Sequence, residues 1–208
     1  REDSESWSEA AIDPEMLGKA FESLMSSRER KSSGAFYTPQ SLVGEVTRSA
    51  LTSALLHPPL SRETIERTLA GEAIDAELVP ILRARIGELR ILDPACGSGA
   101  FLVHALETIA ALQRRAGDTR SLAMLRRELL TRSIFGVDVN PTAVWLCELR
   151  LWLSVVIEGE DTDGMRVAPL PNLDRHIRVG DSLSGDAFEE LRGAGGTAIA
   201  RMRQRYAR

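Results

Sequence analysis

The chain has 208 residues, with 26 Lys and Arg against 30 Asp and Glu for a formal net charge of −4, and 43% of its residues are hydrophobic. That is enough for one substantial core of ordinary soluble composition, and no apolar run reaches the length of a membrane span. The acidic balance argues against a dominant nucleic-acid-binding surface within this stretch, while leaving DNA open as a substrate gripped elsewhere; two cysteines make no disulfide framework and suit a reducing cytoplasm.

The opening Arg1-Glu-Asp-Ser-Glu-Ser is no signal peptide and has no initiator Met, so a piece of a longer polypeptide is expected, with residues 1–11 as a disordered acidic tail. Asp13 as N-cap and Pro14 in the first turn predict a helix over 14–26, with Met16, Leu17, Phe21 and Leu24 as its apolar face. After the charged run Arg28-Glu-Arg-Lys31, Thr38 is the expected N-cap and Pro39 the first residue of a helix. That helix carries Leu42, Val43, Val46, Ala50 and Leu51 and stops near His57-Pro-Pro59. Two more helices are expected over 61–70 and 79–86, with Gly71 and Gly87 as C-terminal caps and Pro80 limiting the start of the second.

Arg90 to Asp93 then reads as a short strand with a buried pair, Ile91 and Leu92. A loop of Pro, Ala, Cys, Gly, Ser and Gly follows, and a helix from about Gly99 to near Gly117 places Leu102, Leu106 and Ile109 on one face. Next come an Arg-rich amphipathic helix over 119–131 and a second buried strand over 133–138. Asn140 as N-cap and Pro141 at the first position open a helix carrying Val144, Trp145, Cys147, Leu151 and Trp152. A polar loop over 159–171 leads to a third strand over 176–181, and residues 185–208 read as a Gly-rich loop and the start of a basic helical insertion. Strands alternating with helices predict an α/β fold with a parallel, Rossmann-like sheet that binds ligand at the carboxyl ends of its strands. The expected division is a tail (1–11), a helical region (12–87), an α/β half-domain (88–184) and the basic segment (185–208).

The chemistry gathers around Asp93-Pro-Ala-Cys-Gly-Ser-Gly99. Gly97 and Gly99 allow a sharp turn and close approach of a ligand, and the helix that follows aims its free amides at the loop. This is not the dinucleotide pattern G-x-G-x-x-G, and Asp93 would repel a pyrophosphate but suits an ammonium group. S-adenosylmethionine, with an ammonium and a carboxylate on its amino-acid end, is the ligand expected. All three strands end in an acid: Asp93, Asp138 and Asp181. Any one of them has a structural reading as a turn or helix cap, favoured in isolation; three at the ligand-binding edge fit the methionine ammonium, the ribose hydroxyls and the adenine amine in turn. Asp138 lies 45 positions after Asp93, against about 20 in the dinucleotide fingerprint, and the helix over 119–131 accounts for the excess.

Phe36-Tyr-Thr-Pro39 alone reads as a helix N-terminus with a packed aromatic; as a site it would bind the cofactor carboxylate through Thr38 and cover its apolar part. Cys96 reads as a small loop residue, because nothing near it in sequence would lower its pKa. His104 and His176 lack partners for a metal site. Trp145 and Trp152 read as core, and Arg201, Arg203, Arg205 and Arg208 as a solvated face.

Together, Gly34-Ala-Phe-Tyr-Thr-Pro39, Asp93-Pro-Ala-Cys-Gly-Ser-Gly-Ala-Phe101, Phe135-Gly-Val-Asp-Val-Asn-Pro141 and Arg178-Val-Gly-Asp-Ser-Leu183 resemble the N6-adenine DNA methyltransferase family, most closely the large single-chain methylases of restriction–modification and phage-defence systems. The glycine motif alone indicates only a methyltransferase, and the Tyr-Thr-Pro motif before it carries the DNA amino-methylase reading. The resemblance implies methyl transfer from S-adenosylmethionine to N6 of an adenine flipped out of duplex DNA. It also implies cofactor contacts at Tyr37, Thr38, Asp93, Gly97, Gly99, Asp138 and Asp181, with Phe36, Ala95, Val139 and Ser182 completing the expected site.

The family's catalytic Asn-Pro-Pro-aromatic motif, at the end of a fourth strand, is absent from the sequence: the Pro-Pro pair follows His57, and Asn140-Pro141 belongs to the turn after the second strand. No catalytic residue can be named, and the catalytic and target-recognition parts are expected beyond Arg208. Ile91 and Leu92 are then expected on an open sheet edge. The alternatives are a non-catalytic S-adenosylmethionine-binding subunit that activates a partner, and a methylase of an RNA or protein amine or amide. The Tyr-Thr-Pro motif weakens the last.

Overall fold

The computed structural model describes residues 38–156 and 170–183, together with Met16 and Gly18. Helix α1, Gln40–Leu55, buries Val43, Thr47, Leu51 and Leu55 at four-residue spacing, a stripe one face can bury. Its N-cap is Pro39, with ψ 139° and no side-chain cap, so Thr38 stands one residue too early to cap the helix and Pro39 is not its first helical residue. In α2, Arg62–Leu69, the Ser61 hydroxyl accepts from the Thr64 amide, and Gly71 just past the end takes φ 106°, as expected of a C-terminal glycine. Helix α3, Val79–Glu88, accepts Pro80 in its first turn but runs through Gly87 and is capped at Leu89, so Gly87 is not its cap.

Three parallel strands follow, β1 (Ile91–Asp93), β2 (Ile134–Asp138) and β3 (Ile177–Val179), in the order β1-β2-β3, with Leu92 beside Phe135 and Val137 beside Arg178. This is a parallel, Rossmann-like arrangement, as the alternation of strands and helices predicts. Between β1 and β2 lie α4, Ala100–Arg115, and α5, Leu122–Arg132; α6, Pro141–Val156, follows β2. The Asn140 carboxamide accepts from the Thr142 and Ala143 amides, so its role as N-cap of α6 holds. Leu102, Leu106 and Ile109 of α4 are fully buried and join Leu125, Leu130, Ile134, Cys147 and Leu151 in one continuous core.

Three expectations about burial fail. Leu92 is 61% exposed, because β1 is an edge strand among the described residues and one of its faces has no cover. Trp145 is 59% exposed rather than core. The buried stripe of α6 runs through Ala143, Val144, Leu146, Cys147, Arg150, Leu151, Ser154 and Val155, and Trp145 falls off it. Trp152 is half-buried against the core, with its indole N–H donating to the Pro171 carbonyl. Met16 is 66% exposed, against its expected place on an apolar face. The tail over 1–11, Leu17, Phe21, Leu24 and residues 184–208 lie outside the described residues. No described helix is long and apolar enough to cross a membrane.

Candidate cofactor site

The loop from Pro94 to Gly99 joins β1 to α4, with Gly97 at φ 51° and Gly99 at φ 85°, both in the left-handed region that favours glycine. The two glycines serve different ends. A Cβ on Gly99 would lie 2.6 Å from Cys147 Sγ, so this residue lets the loop press onto α6. A Cβ on Gly97 would meet nothing within 4 Å, so Gly97 faces open space above the loop. The backbone is tied down from several sides. The Cys96 amide donates to the Val137 carbonyl (2.9 Å), the Gly97 amide to Asp138 Oδ2 (2.8 Å), and the Gly99 amide to the Cys96 carbonyl (2.8 Å). From the turn after β3, the Ser182 hydroxyl donates to the Pro94 carbonyl at 2.7 Å.

β3 stops at Val179, so Asp181 stands two residues past its strand rather than ending it as Asp93 and Asp138 do, yet all three acids make the same local bond. Asp93 Oδ1 accepts from the Ala95 amide, Asp138 Oδ1 from the Asn140 amide and Asp181 Oδ1 from the Leu183 amide, each two residues on. The turn-forming reading of an acid after a strand is therefore realised three times, and it leaves the second carboxylate oxygen to separate the roles. That of Asp138 holds Gly97. That of Asp93 is buried with no hydrogen-bond partner among the described residues. Burial pushes the Asp93 carboxyl above its ordinary range, and the neighbouring Asp138 adds to the shift against the opposing Ala95 hydrogen bond. A buried acceptor without a partner is a costly feature that a donor-bearing ligand would relieve. The first-turn amides of α4 have no intrahelical partners, and at a helix N-terminus they favour a negative group. An orphaned carboxylate oxygen and an amide-rich helix start around an open glycine fit the two charges on the amino-acid end of S-adenosylmethionine.

Residues 70–192 match the family model for the MmeI DNA-methyltransferase domain. The chain belongs to that family. It is 30% identical over 91% of its length to a putative type II restriction enzyme and methyltransferase, RM.MjaORFECS2P, of Methanocaldococcus jannaschii, covering 18% of that protein. It is 26% identical over 88% of its length to the type II restriction enzyme and methyltransferase RM.Eco57I of Escherichia coli, covering 19% of it. With the adenine-specific methyltransferase PglX of Streptomyces coelicolor it shares 31% identity over 64% of this chain and 10% of the relative. The chain thus spans less than a fifth of the length of these relatives.

In this MmeI-type domain the structure brings together Asp93, Ala95, Gly97, Gly99, Asp138 and Ser182 around one loop. Val139 stands exposed directly after Asp138, and Asp181 directly precedes Ser182. Thr38 is half-buried and makes no hydrogen bond among the described residues, so nothing ties it to the loop; Phe36 and Tyr37 lie outside them. Both cysteines are buried, and the Cys147 thiol is pushed up by its hydrogen bond with Cys96 and by burial, which suits packing rather than nucleophilic work. No group of three metal-binding side chains occurs among the described residues, and His176 is engaged with the Leu130 carbonyl and the Phe135 ring.

Sequence reasoning missed two residues of this site. Gly136, in the middle of β2, would place a Cβ 2.8 Å from Leu102 and 3.0 Å from Cys96 Sγ, so it makes room for the loop to settle on the sheet. A glycine inside a strand was the available signal. The other is Arg150, whose guanidinium reaches the loop from α6.

Proposed function

We propose that the chain is the cofactor-binding part of a DNA methyltransferase that transfers a methyl group from S-adenosylmethionine to N6 of adenine, within a restriction–modification or phage-defence system. The unpartnered, buried Asp93 Oδ2 at the mouth of an open glycine loop carries this reading; the family and the adenine-specific relative support it. The cofactor supplies an electrophilic methyl group on a sulfonium. The chain's residues bind and orient it: Asp93 takes the ammonium, the first amides of α4 the carboxylate, Asp138 the ribose hydroxyls beside its bond to Gly97, and Val139 offers an apolar surface to the adenine ring. Asp181 and Ser182 close the far side at the end of β3, and Phe36, Tyr37 and Thr38 cover the methionine end.

Double-stranded DNA is the proposed partner, gripped largely by segments other than this one, with a nuclease or defence subunit as a further partner in the cytoplasm. Calorimetric titration tests the cofactor. S-adenosylmethionine and S-adenosylhomocysteine are expected to bind and NAD is not. Binding of NAD with no binding of either sulfur ligand overturns the proposal.

A further inference from the structure

Arg150 lies in the second half of α6 and is 3% exposed. A guanidinium keeps its charge at every pH at which the chain is folded, so burying one is costly unless hydrogen bonds compensate. Here Nη1 donates to the Ser98 carbonyl at 2.8 Å and also lies 3.2 Å from Ser98 Oγ. Ser98 stands between the two left-handed glycines, and its carbonyl shares a peptide plane with the Gly99 amide, which donates to the Cys96 carbonyl. That peptide is pinned at both ends. The turn at Gly97 is fixed by Asp138. Glycine on either side of Ser98 would otherwise let the loop rotate through many orientations, so these bonds select one. The guanidinium also meets helical backbone at Gly18, where a Cβ would lie 3.0 Å from Nη1 and in ordinary contact, 3.5 Å, with Ser98 Oγ.

We propose that Arg150 is a positioning residue for the cofactor site, holding the Ser98–Gly99 peptide from beneath so that the loop and the amides opening α4 are in binding geometry before the ligand arrives. The proposal rests on the cofactor reading above. Preorganisation of this kind raises affinity by removing the ordering cost at the moment of binding. A second buried arginine provides the contrast: Arg126, 4% exposed, bonds Glu107 and the Ser154 carbonyl, and these described bonds join α4, α5 and α6 rather than reach the loop.

The test uses the full chain as wild type, Arg150→Met, Arg150→Lys and Arg126→Met. It measures binding of S-adenosylhomocysteine by calorimetry, thermal unfolding, and hydrogen exchange of the amides at 97–100. Both methionine variants should unfold at lower temperature. Arg150→Met alone should lose about tenfold or more in affinity, as for a lost charged hydrogen bond, and exchange faster at the loop. Lysine, which restores one charged donor, should recover part of both. An affinity of Arg150→Met within about twofold of Arg126→Met overturns the proposal alone, whereas a wild-type chain that binds neither S-adenosylmethionine nor S-adenosylhomocysteine overturns the cofactor reading and this proposal with it. Should Arg150→Met fail to fold, Gly18→Ala decides, because its methyl displaces the guanidinium without removing the charge. A loss of about threefold in affinity with near wild-type unfolding supports the proposal, and unchanged affinity overturns it.

Discussion

Gly97 donates its amide hydrogen to Asp138 Oδ2 across 2.8 Å, although 41 positions separate the two residues in the chain. The acid at the end of β2 therefore shapes the loop after β1, and its proposed ribose contact is made by a group already held in place. Asp138→Ala removes the loop anchor and the ribose acceptor at once. Cofactor affinity should fall by about 1–3 kcal/mol, with a lower unfolding temperature. Asp138→Asn keeps one acceptor oxygen but turns an NH2 group toward one of the two amides, so it should not restore binding. A folded Asp138→Ala chain with unchanged affinity in calorimetry would remove the ribose assignment.

Asp93 sets function against stability. Burial holds its carboxyl above the ordinary range, so folding favours the protonated form. The sign follows: this contribution is fully present below the ordinary carboxylate pKa and is lost as pH rises through the raised, folded value. Asp93→Asn keeps an oxygen for the Ala95 amide and removes the charge. At neutral pH it should unfold a few degrees higher without ligand, where about 1 kcal/mol corresponds to ~2–4 °C in a chain of this size, and the advantage should vanish in acid. Its affinity for S-adenosylmethionine should fall by about tenfold. Melting curves across pH, paired with titrations, check both halves; a variant that gains no stability at neutral pH counts against the buried, uncompensated carboxylate.

The two loop glycines should respond differently to alanine. At Gly99 the left-handed φ and the 2.6 Å approach to Cys147 Sγ act together, and Gly99→Ala should cost on the order of 2–4 kcal/mol of stability. Cys147→Ala in that background should recover part of the loss. At Gly97 only the φ is unfavourable, about 1–2 kcal/mol, but the new methyl enters the open side of the loop and should weaken ligand binding. Denaturant titrations and calorimetry on the same variants separate the two effects.

Local chemistry was what the sequence made legible. Asn140-Pro141, Gly71 and the glycine loop fixed a helix start, a helix end and a turn, because each acts through its own backbone or its nearest amides. The acids were legible as a group, since each strand is short and an acid stands at its end or, for β3, two residues past it. Orientation was not. Residues 144–156 are apolar on nearly every side, so nothing in their spacing tells that Arg150 turns inward and Trp145 outward; that depends on β2, β3 and the loop packed beneath α6. Leu92 failed for a related reason: a buried strand and an edge strand share the same apolar letters, and only sheet order separates them.

Catalysis is expected to require more than these residues. The sequence contains no Asn-Pro-Pro-aromatic to hold a target amine and stack its base. The 208-residue chain, given labelled S-adenosylmethionine and duplex DNA, should transfer no methyl group. Incorporation of label into adenine would show that another residue of this chain does the catalytic work.

The free side of β1 sets the last prediction. The Ile91 amide donates to the Ser133 carbonyl, and the alternation of a parallel ladder then turns the amide and carbonyl of Leu92 away from β2. No described strand meets them. Beside that edge runs a cavity of about 450 Å³, walled by Val46, Ala50 and Leu51 of α1, Ile91 and Leu92 of β1, and Phe101 of α4. Unpaired main-chain groups beside apolar walls favour pairing with another strand, and a concentrated solution of this chain offers mainly copies of itself. The 208-residue chain should therefore self-associate as its concentration rises. Leu92→Lys places a charge on the edge, the device by which natural edge strands avoid pairing, and should shift the chain toward monomer with little change in unfolding temperature, because Leu92 is already 61% exposed. Sedimentation velocity over a concentration series reads the outcome. A wild-type chain that folds cooperatively and stays monomeric throughout would show that the edge is closed in solution by part of the chain itself.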